Sequence, residues 1–258
     1  MLGIDHGSDG ERELQQRWGT RERAERFYGE QVLDRLNAAM IEFVRRMDMA
    51  FIATADSNGE CDASFRAGKP GFLHIIDERT IAYPEYRGNG VMASMGNLLE
   101  NPHVGIMLID FTRDLIGLHI NGPARIVEDG SLRSRVPGLP ESERGRAASH
   151  WVVVAIEEAY IHCRKHIPHL IPAPRESRQW GTDNPRAKGG DYFGVKADAI
   201  AARSTPPRPE PAVLPTVIGA LGTEAETAAL ARGIRSFADE AGAFAAAARS
   251  HAAGTGWG

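Results

Sequence analysis

The chain has only two cysteines in 258 residues, Cys61 and Cys163, with no Cys-x-x-Cys pair and no dense Cys/His spacing. That argues against a disulfide-stapled secreted fold and against a structural zinc site. No apolar stretch approaches the roughly 20 residues needed to span a bilayer. The N-terminal run "MLGIDHGSDGERELQQRWG" is charged and lacks the apolar core of a signal peptide, so a reduced, cytoplasmic protein is expected. An excess of positive charge is also missing: the formal net charge is -4. Neither nucleic acid nor an anionic membrane is an expected partner, and any anion must be gripped by a local cluster. There is no P-loop, no nucleophile elbow and no Gly-x-Gly-x-x-Gly after a strand. With neither a nucleophile nor a metal to assign, redox chemistry on a bound cofactor is the economical expectation.

What is present changes period along the chain. In "EQVLDRLNAAMIEFVRRM", Val32, Leu33, Leu36, Met40, Phe43, Val44 and Met47 recur at helical spacing, predicting one amphipathic helix that ends near Met47. From Met49 short apolar runs alternate with turn signals: "MAFIATA", "CDASFRA", "PGFLHIID", "TIAYP", "VGIMLID", "LIGLHINGPARIVE" and "WVVVAIEEAYIHC". Asn58-Gly59 between the first two is a hairpin signal. These seven strands surround one short helix, Val91 to Glu100, stopped by Asn101-Pro102, and so predict an antiparallel barrel. The expected organisation is a helical segment over 1–48, the barrel domain over 49–200, a proline-rich linker over 201–222 and an alanine-rich helix with a tail over 223–258.

Basic residues gather in two neighbouring strand-turn segments: Arg66 and Lys69 in "SFRAGKPGF", and Arg87 in "YPEYRGNG". Arginine's planar fork suits phosphate, glycines let backbone N–H groups approach, and a following helix start adds its positive end. The cluster reads as a phosphate cradle or, equally, as a hairpin loop with solvated charges.

A resemblance separates these readings. The segments "FIATADSNGECDASFRAGKPGF", "YPEYRGNGVMASMGNLLENPHVGIMLIDF", "GLHINGPARIV" and "EEAYIHCRKHI" resemble the pyridoxamine 5'-phosphate oxidase-like family of FMN-binding split barrels, in particular its predicted flavin-nucleotide-binding branch. The resemblance implies a mainly β fold with flanking helices: a six-stranded antiparallel Greek-key split barrel that forms a homodimer and holds FMN between subunits. Carried over, Arg66 meets the flavin phosphate, Tyr83 and Pro84 run beside the isoalloxazine, and Arg87, Gly88 and Asn89 form the turn that holds phosphate and ribityl oxygens. Ser94 and Asn97 follow on the helix, and Lys69 corresponds only loosely. The family's basic lysine-containing strand is replaced here by "AGKPGFLHI", and the residues that recognise pyridoxamine phosphate have no match. The implied activity is an FMN-dependent oxidoreductase acting between a small-molecule substrate or NAD(P)H and the flavin. The alternatives are an F420-dependent reductase on the same fold and a non-catalytic flavin- or haem-binding protein.

Other residues admit two readings each. His119 and Asn121, two apart on one strand face, are either a flavin-edge contact or hydrogen-bonded barrel residues. Trp180 either stacks on a flavin or pins a loop. A haem would ask for an axial histidine such as His162 or His166. The cluster His162, Cys163, His166 and His169 is not expected to bind metal, since Pro168 opposes the helix that would converge its ligands. Cys163 is either a reactive thiol beside Arg164 and Lys165 or a small core residue.

Overall fold

The computed structural model describes residues 6–141, 147–173, 184 and 190–202. The chain divides into two units, Met1–Gly190 and Asp191–Gly258. In the second the described element is a helix, α6 (Val195–Ala202). The predicted linker begins within this helix; its remainder from residue 203 on, the C-terminal helix and Trp180 lie outside the described residues.

The first unit opens with α1 (Asp9–Arg17), α2 (Arg21–Gln31), β1 (Val32–Leu33) and α3 (Ala38–Arg46). The single helix expected through Val32 is therefore broken in two. Asn37 is extended, and its side-chain oxygen accepts from the Met40 N–H at 2.9 Å, which starts a new helix. Val32 and Leu33 meanwhile pair with a later strand. The apolar spacing is real, but two elements share it. Phe43 and Val44 on α3 enter the core.

The strands are β2 (Met49–Ala55), β3 (Cys61–Ala67), β4 (His74–Asp77), β5 (Thr80–Tyr86), β6 (His103–Ile109), β7 (Gly117–Glu128), β8 (Ala148–Ala155) and β9 (Glu158–His162). Two helices interrupt them: α4 (Ala93–Glu100) before β6 and α5 (Asp129–Arg133) after β7. The Asn58-Gly59 hairpin forms as read, with Gly59 at φ +84°. The last apolar run is two strands rather than one, because the chain turns at Ile156 and Glu157. Their N–H groups donate to the carbonyls of Arg79 and Asn121.

All pairing is antiparallel, in the order β3-β2-β6-β7-β8-β5-β4, with β9 joining β7 and β1. The long β7 serves both halves: residues 117–121 lie between β6 and β9, and residues 124–128 pair with β8. Gly122 sits at this corner, where a Cβ would lie 1.9 Å from the Ala155 carbonyl oxygen. No side chain fits there. The edge strands β3 and β4 do not pair, so the barrel is open, a split barrel of nine strands among the described residues. The two-residue β1 and the division of the last run bring the seven runs read in the sequence to nine strands. The main core between the sheets includes Ile52, Tyr83, Ile106, Leu108, Ile120 and Val152, and α4 closes one side with the buried Leu98.

Candidate functional site

Arg66 projects from edge strand β3 and meets Glu85 of β5 across the split. Glu85 Oε1 accepts from Arg66 Nη2 at 2.9 Å and from Nε at 3.3 Å. Ser94, in the first turn of α4, donates its hydroxyl to Asp62 Oδ2 at 2.8 Å and lies 3.0 Å from the Ser64 hydroxyl. These groups bound a cleft of about 620 Å³, whose far wall is the 88–93 turn with Gly88, Asn89 and Met92. The turn is held from within, because the Asn89 side-chain oxygen accepts from the Val91 N–H at 2.9 Å. Met92 precedes α4 in the left-handed region, at φ 59°, with no side-chain cap on the helix. The N–H groups that open a helix lack intrahelical partners, and here the cleft is lined by Ala93, Ser94 and Met95. A Cβ added at Gly88 would meet no atom of the described residues within 4 Å.

Of the residues expected in the site, Arg66, Gly88, Asn89 and Ser94 are thus brought together. Arg87 is exposed on the same turn, and Lys69 is exposed on the β3–β4 connection; neither lines the cleft. Tyr83 and Pro84 are buried, and Tyr83 belongs to the main core, so neither presents a side chain to the cleft. Burial, with the Glu85 carboxylate adding to it, pushes the Tyr83 phenol up, while Arg66 pulls it down. Asn97 faces the barrel and donates to the Thr54 hydroxyl at 3.1 Å.

His119 and Asn121 stand elsewhere, on the outer face of β7 beside β9. His119 Nε2 is 3.0 Å from His162 Nδ1, and its imidazole stacks on Tyr160 at 4.7 Å. Burial, and then the neighbouring His162, hold His119 below the ordinary imidazole range. Asn121 donates to Glu158 Oε2 at 3.2 Å. Both are therefore hydrogen-bonded residues of the sheet within this chain. Cys163 is exposed, which removes the reading of it as a core residue.

Glu85, Asp62 and Ser64 were missed in the sequence. The signal was present: Tyr83 and Glu85 are two apart, so a carboxylate follows an inward-facing tyrosine on the same strand face. Asp62, Ser64 and Arg66 likewise share one face of β3.

The antiparallel open barrel with a cleft at its split defines the structural class. Residues 36–163 match the family model described as pyridoxamine 5'-phosphate oxidase, and this segment of the chain belongs to that family. The match starts at Leu36 and ends at Cys163, taking in β2 to β9. Among solved structures the chain is similar to HupZ of Group A Streptococcus, with 19% identity over 49% of this chain and 93% of that one and a TM-score of 0.39. It is similar to an F420 reductase, with 18% identity over 47% and 94% and a TM-score of 0.31. It is also similar to HutZ, the haem storage protein of Vibrio cholerae, with 18% identity over 49% and 94% and a TM-score of 0.33. No curated protein matches the chain. No helix among the described residues is long and apolar enough to cross a membrane.

Proposed function

We propose that the chain is an FMN-dependent oxidoreductase whose cleft at the split holds the flavin phosphate, and that it works as a homodimer. The observation that carries this reading is the convergence of Arg66, Ser94 and the start of α4 on one cleft walled by the 88–93 turn. A guanidinium fork and helix N–H groups form a donor set suited to a phosphate monoester. Asp62, Glu85 and Ser64 in the same cleft offer acceptors for ribityl hydroxyls. The open space over Gly88 fits close approach of a ligand, since no described residue fills it.

Bound flavin would supply hydride or electron transfer between a small molecule or NAD(P)H and its ring. The protein's part is to anchor the phosphate through Arg66, orient the ribityl chain and exclude water with Phe65 and Met92 beside the cleft.

The homodimer is supported by the outer face of β2 and β3, where Phe51 and Phe65 pack edge to face at 5.6 Å yet remain 38% and 55% exposed. Next to them, Ala53, Ala63 and Gly105 floor a depression of about 920 Å³ that a second subunit would fill.

Titration with FMN, followed by quenching of flavin fluorescence, tests the reading. Arg66→Ala is expected to weaken binding by about 10- to 100-fold, the worth of a charge-assisted pair of hydrogen bonds. Gly88→Val should weaken it too, without loss of thermal stability. If both variants bind FMN like the wild type, the cleft is not the flavin site.

A further inference from the structure

The Arg66 fork already holds an anion, and the chain supplies it. Glu85 Oε1 accepts from two guanidinium nitrogens of Arg66, the place a phosphate oxygen takes when arginine binds it. The two side chains are only 21% and 12% exposed, so water screens the pair poorly. An anion that takes this same Nε–Nη2 edge of Arg66 must replace the carboxylate.

A second, independent observation shows where the carboxylate can go. The Tyr83 hydroxyl is buried and has no hydrogen-bond partner among the described residues. A buried donor without an acceptor carries its full desolvation penalty. Tyr83 and Glu85 leave β5 on the same face, and the electrostatic influence of both Glu85 and Arg66 reaches the phenol. One carboxylate thus shares a strand face with an unpartnered donor while it serves another.

We propose that Glu85 is an exchangeable counter-ion: it fills the Arg66 fork in the free protein, and yields it to a ligand phosphate by turning to accept a hydrogen bond from the Tyr83 hydroxyl. The proposal deepens the phosphate-cradle reading and rests on it. It also sets a ligand rule. The cleft selects a phosphate monoester, which can outcompete an internal carboxylate for the fork, over ligands that carry only a carboxylate or no anion at all. FMN should bind and riboflavin should not.

Glu85→Gln removes the competing charge while keeping the shape. Because the binding-competent state is then populated in advance, Kd for FMN is expected to fall about tenfold. Tyr83→Phe removes the alternative partner. It should raise the Tm of the ligand-free protein, by deleting an unpaired buried hydroxyl, and weaken FMN binding about threefold. In the Glu85→Gln background, Tyr83→Phe should leave Kd unchanged, since no carboxylate remains to be received. A mere change of field at Arg66 would not produce that dependence of one substitution on the other.

The outcomes separate the two levels. If the wild type binds FMN, Arg66→Ala binds it about 10- to 100-fold more weakly, and Glu85→Gln binds no tighter than the wild type, the flavin reading stands and the exchange is overturned. If Tyr83→Phe weakens binding equally in both backgrounds, the exchange is likewise overturned. Should no form bind FMN, inorganic phosphate replaces it as the probe, read by the shift in Tm. A larger phosphate shift in Glu85→Gln than in the wild type then upholds the exchange while the flavin reading falls. No phosphate shift in either overturns both.

Discussion

The outer faces of the two sheets differ, although strands of both are short and rich in apolar residues. On β5 and β8 burial is nearly continuous: Ile81, Tyr83, Val152 and Val154 face the main core, while Ala82, Trp151 and Val153 form a second cluster with Leu132 and Leu139. The segment after β7 makes this second cluster, covering that face from the same chain. The Trp151 indole N–H donates to Asp129 at 2.8 Å, and Arg133 holds Asp129 in place. On β2 and β3 burial alternates strictly along β2, and Phe51 and Phe65 look outward with no covering element among the described residues. A strand buried on both faces carries "WVVV"; one buried on a single face carries "MAFIATA". One sheet is covered on both faces within the chain, and the other has one face that no described element covers.

The largest expected effect lies on the covered sheet. Trp151→Ala empties the second cluster and removes one of the donors to Asp129, and should cost about 3–5 kcal/mol in chemical denaturation. A loss below about 1 kcal/mol would mean that the second cluster contributes little to the fold.

Asp110 tests how the open sheet is braced. It follows β6 and accepts from the N–H groups of Thr112, Arg113 and Asp114, the Thr112 hydroxyl and Arg46. Burial alone would raise its carboxyl, but these donors outweigh it and hold it down to about 2. A depressed carboxylate contributes its stability above the ordinary value near 3.9 and loses it as pH falls through the folded value. That contribution is about 2 kcal/mol. Wild type should lose it between about pH 4 and pH 2, and Asp110→Asn should lack it at neutral pH; acid titration of Tm reads both.

A smaller pH effect belongs to His119. Its protonation is disfavoured in the folded state, so stability is complete above about pH 6.5 and declines as pH falls through the lowered value. His119→Gln should flatten the Tm profile in that window; an unchanged profile would show that the His119–His162 contact does not couple to folding.

The smallest effect on folding should come from the open face. Phe65→Ser is expected to change the folding stability of the monomer by no more than about 0.5 kcal/mol, while shifting the solution mass from dimer to monomer. If wild type is monomeric at the same concentration, the partner reading of this face is wrong.

Much of the fold was legible because barrel strands announce themselves by period and turn chemistry. "DSNGE" and "NGPARIV" set their elements without help from elsewhere. The break at Asn37 and the corner at Ile156 were not legible, because apolar residues run through both and only long-range pairing decides them. The site was half legible. Arg66 and the 88–93 turn carried a recognisable motif, whereas Glu85 gains its meaning from a strand 19 residues away. Tyr83 read as a flavin neighbour, and tertiary packing instead buries it in the barrel.

The oxidoreductase reading depends on the cleft anchoring a flavin phosphate at Arg66. The absorption spectrum of the freshly purified protein, followed by mass spectrometry of the small molecule that heat releases, decides this without a substrate in hand. A flavin spectrum and the mass of FMN are expected, both lost in Arg66→Ala. A deazaflavin mass or a haem Soret band would contradict the cofactor assignment, and a colourless protein that takes up no FMN on reconstitution would contradict the oxidoreductase reading itself.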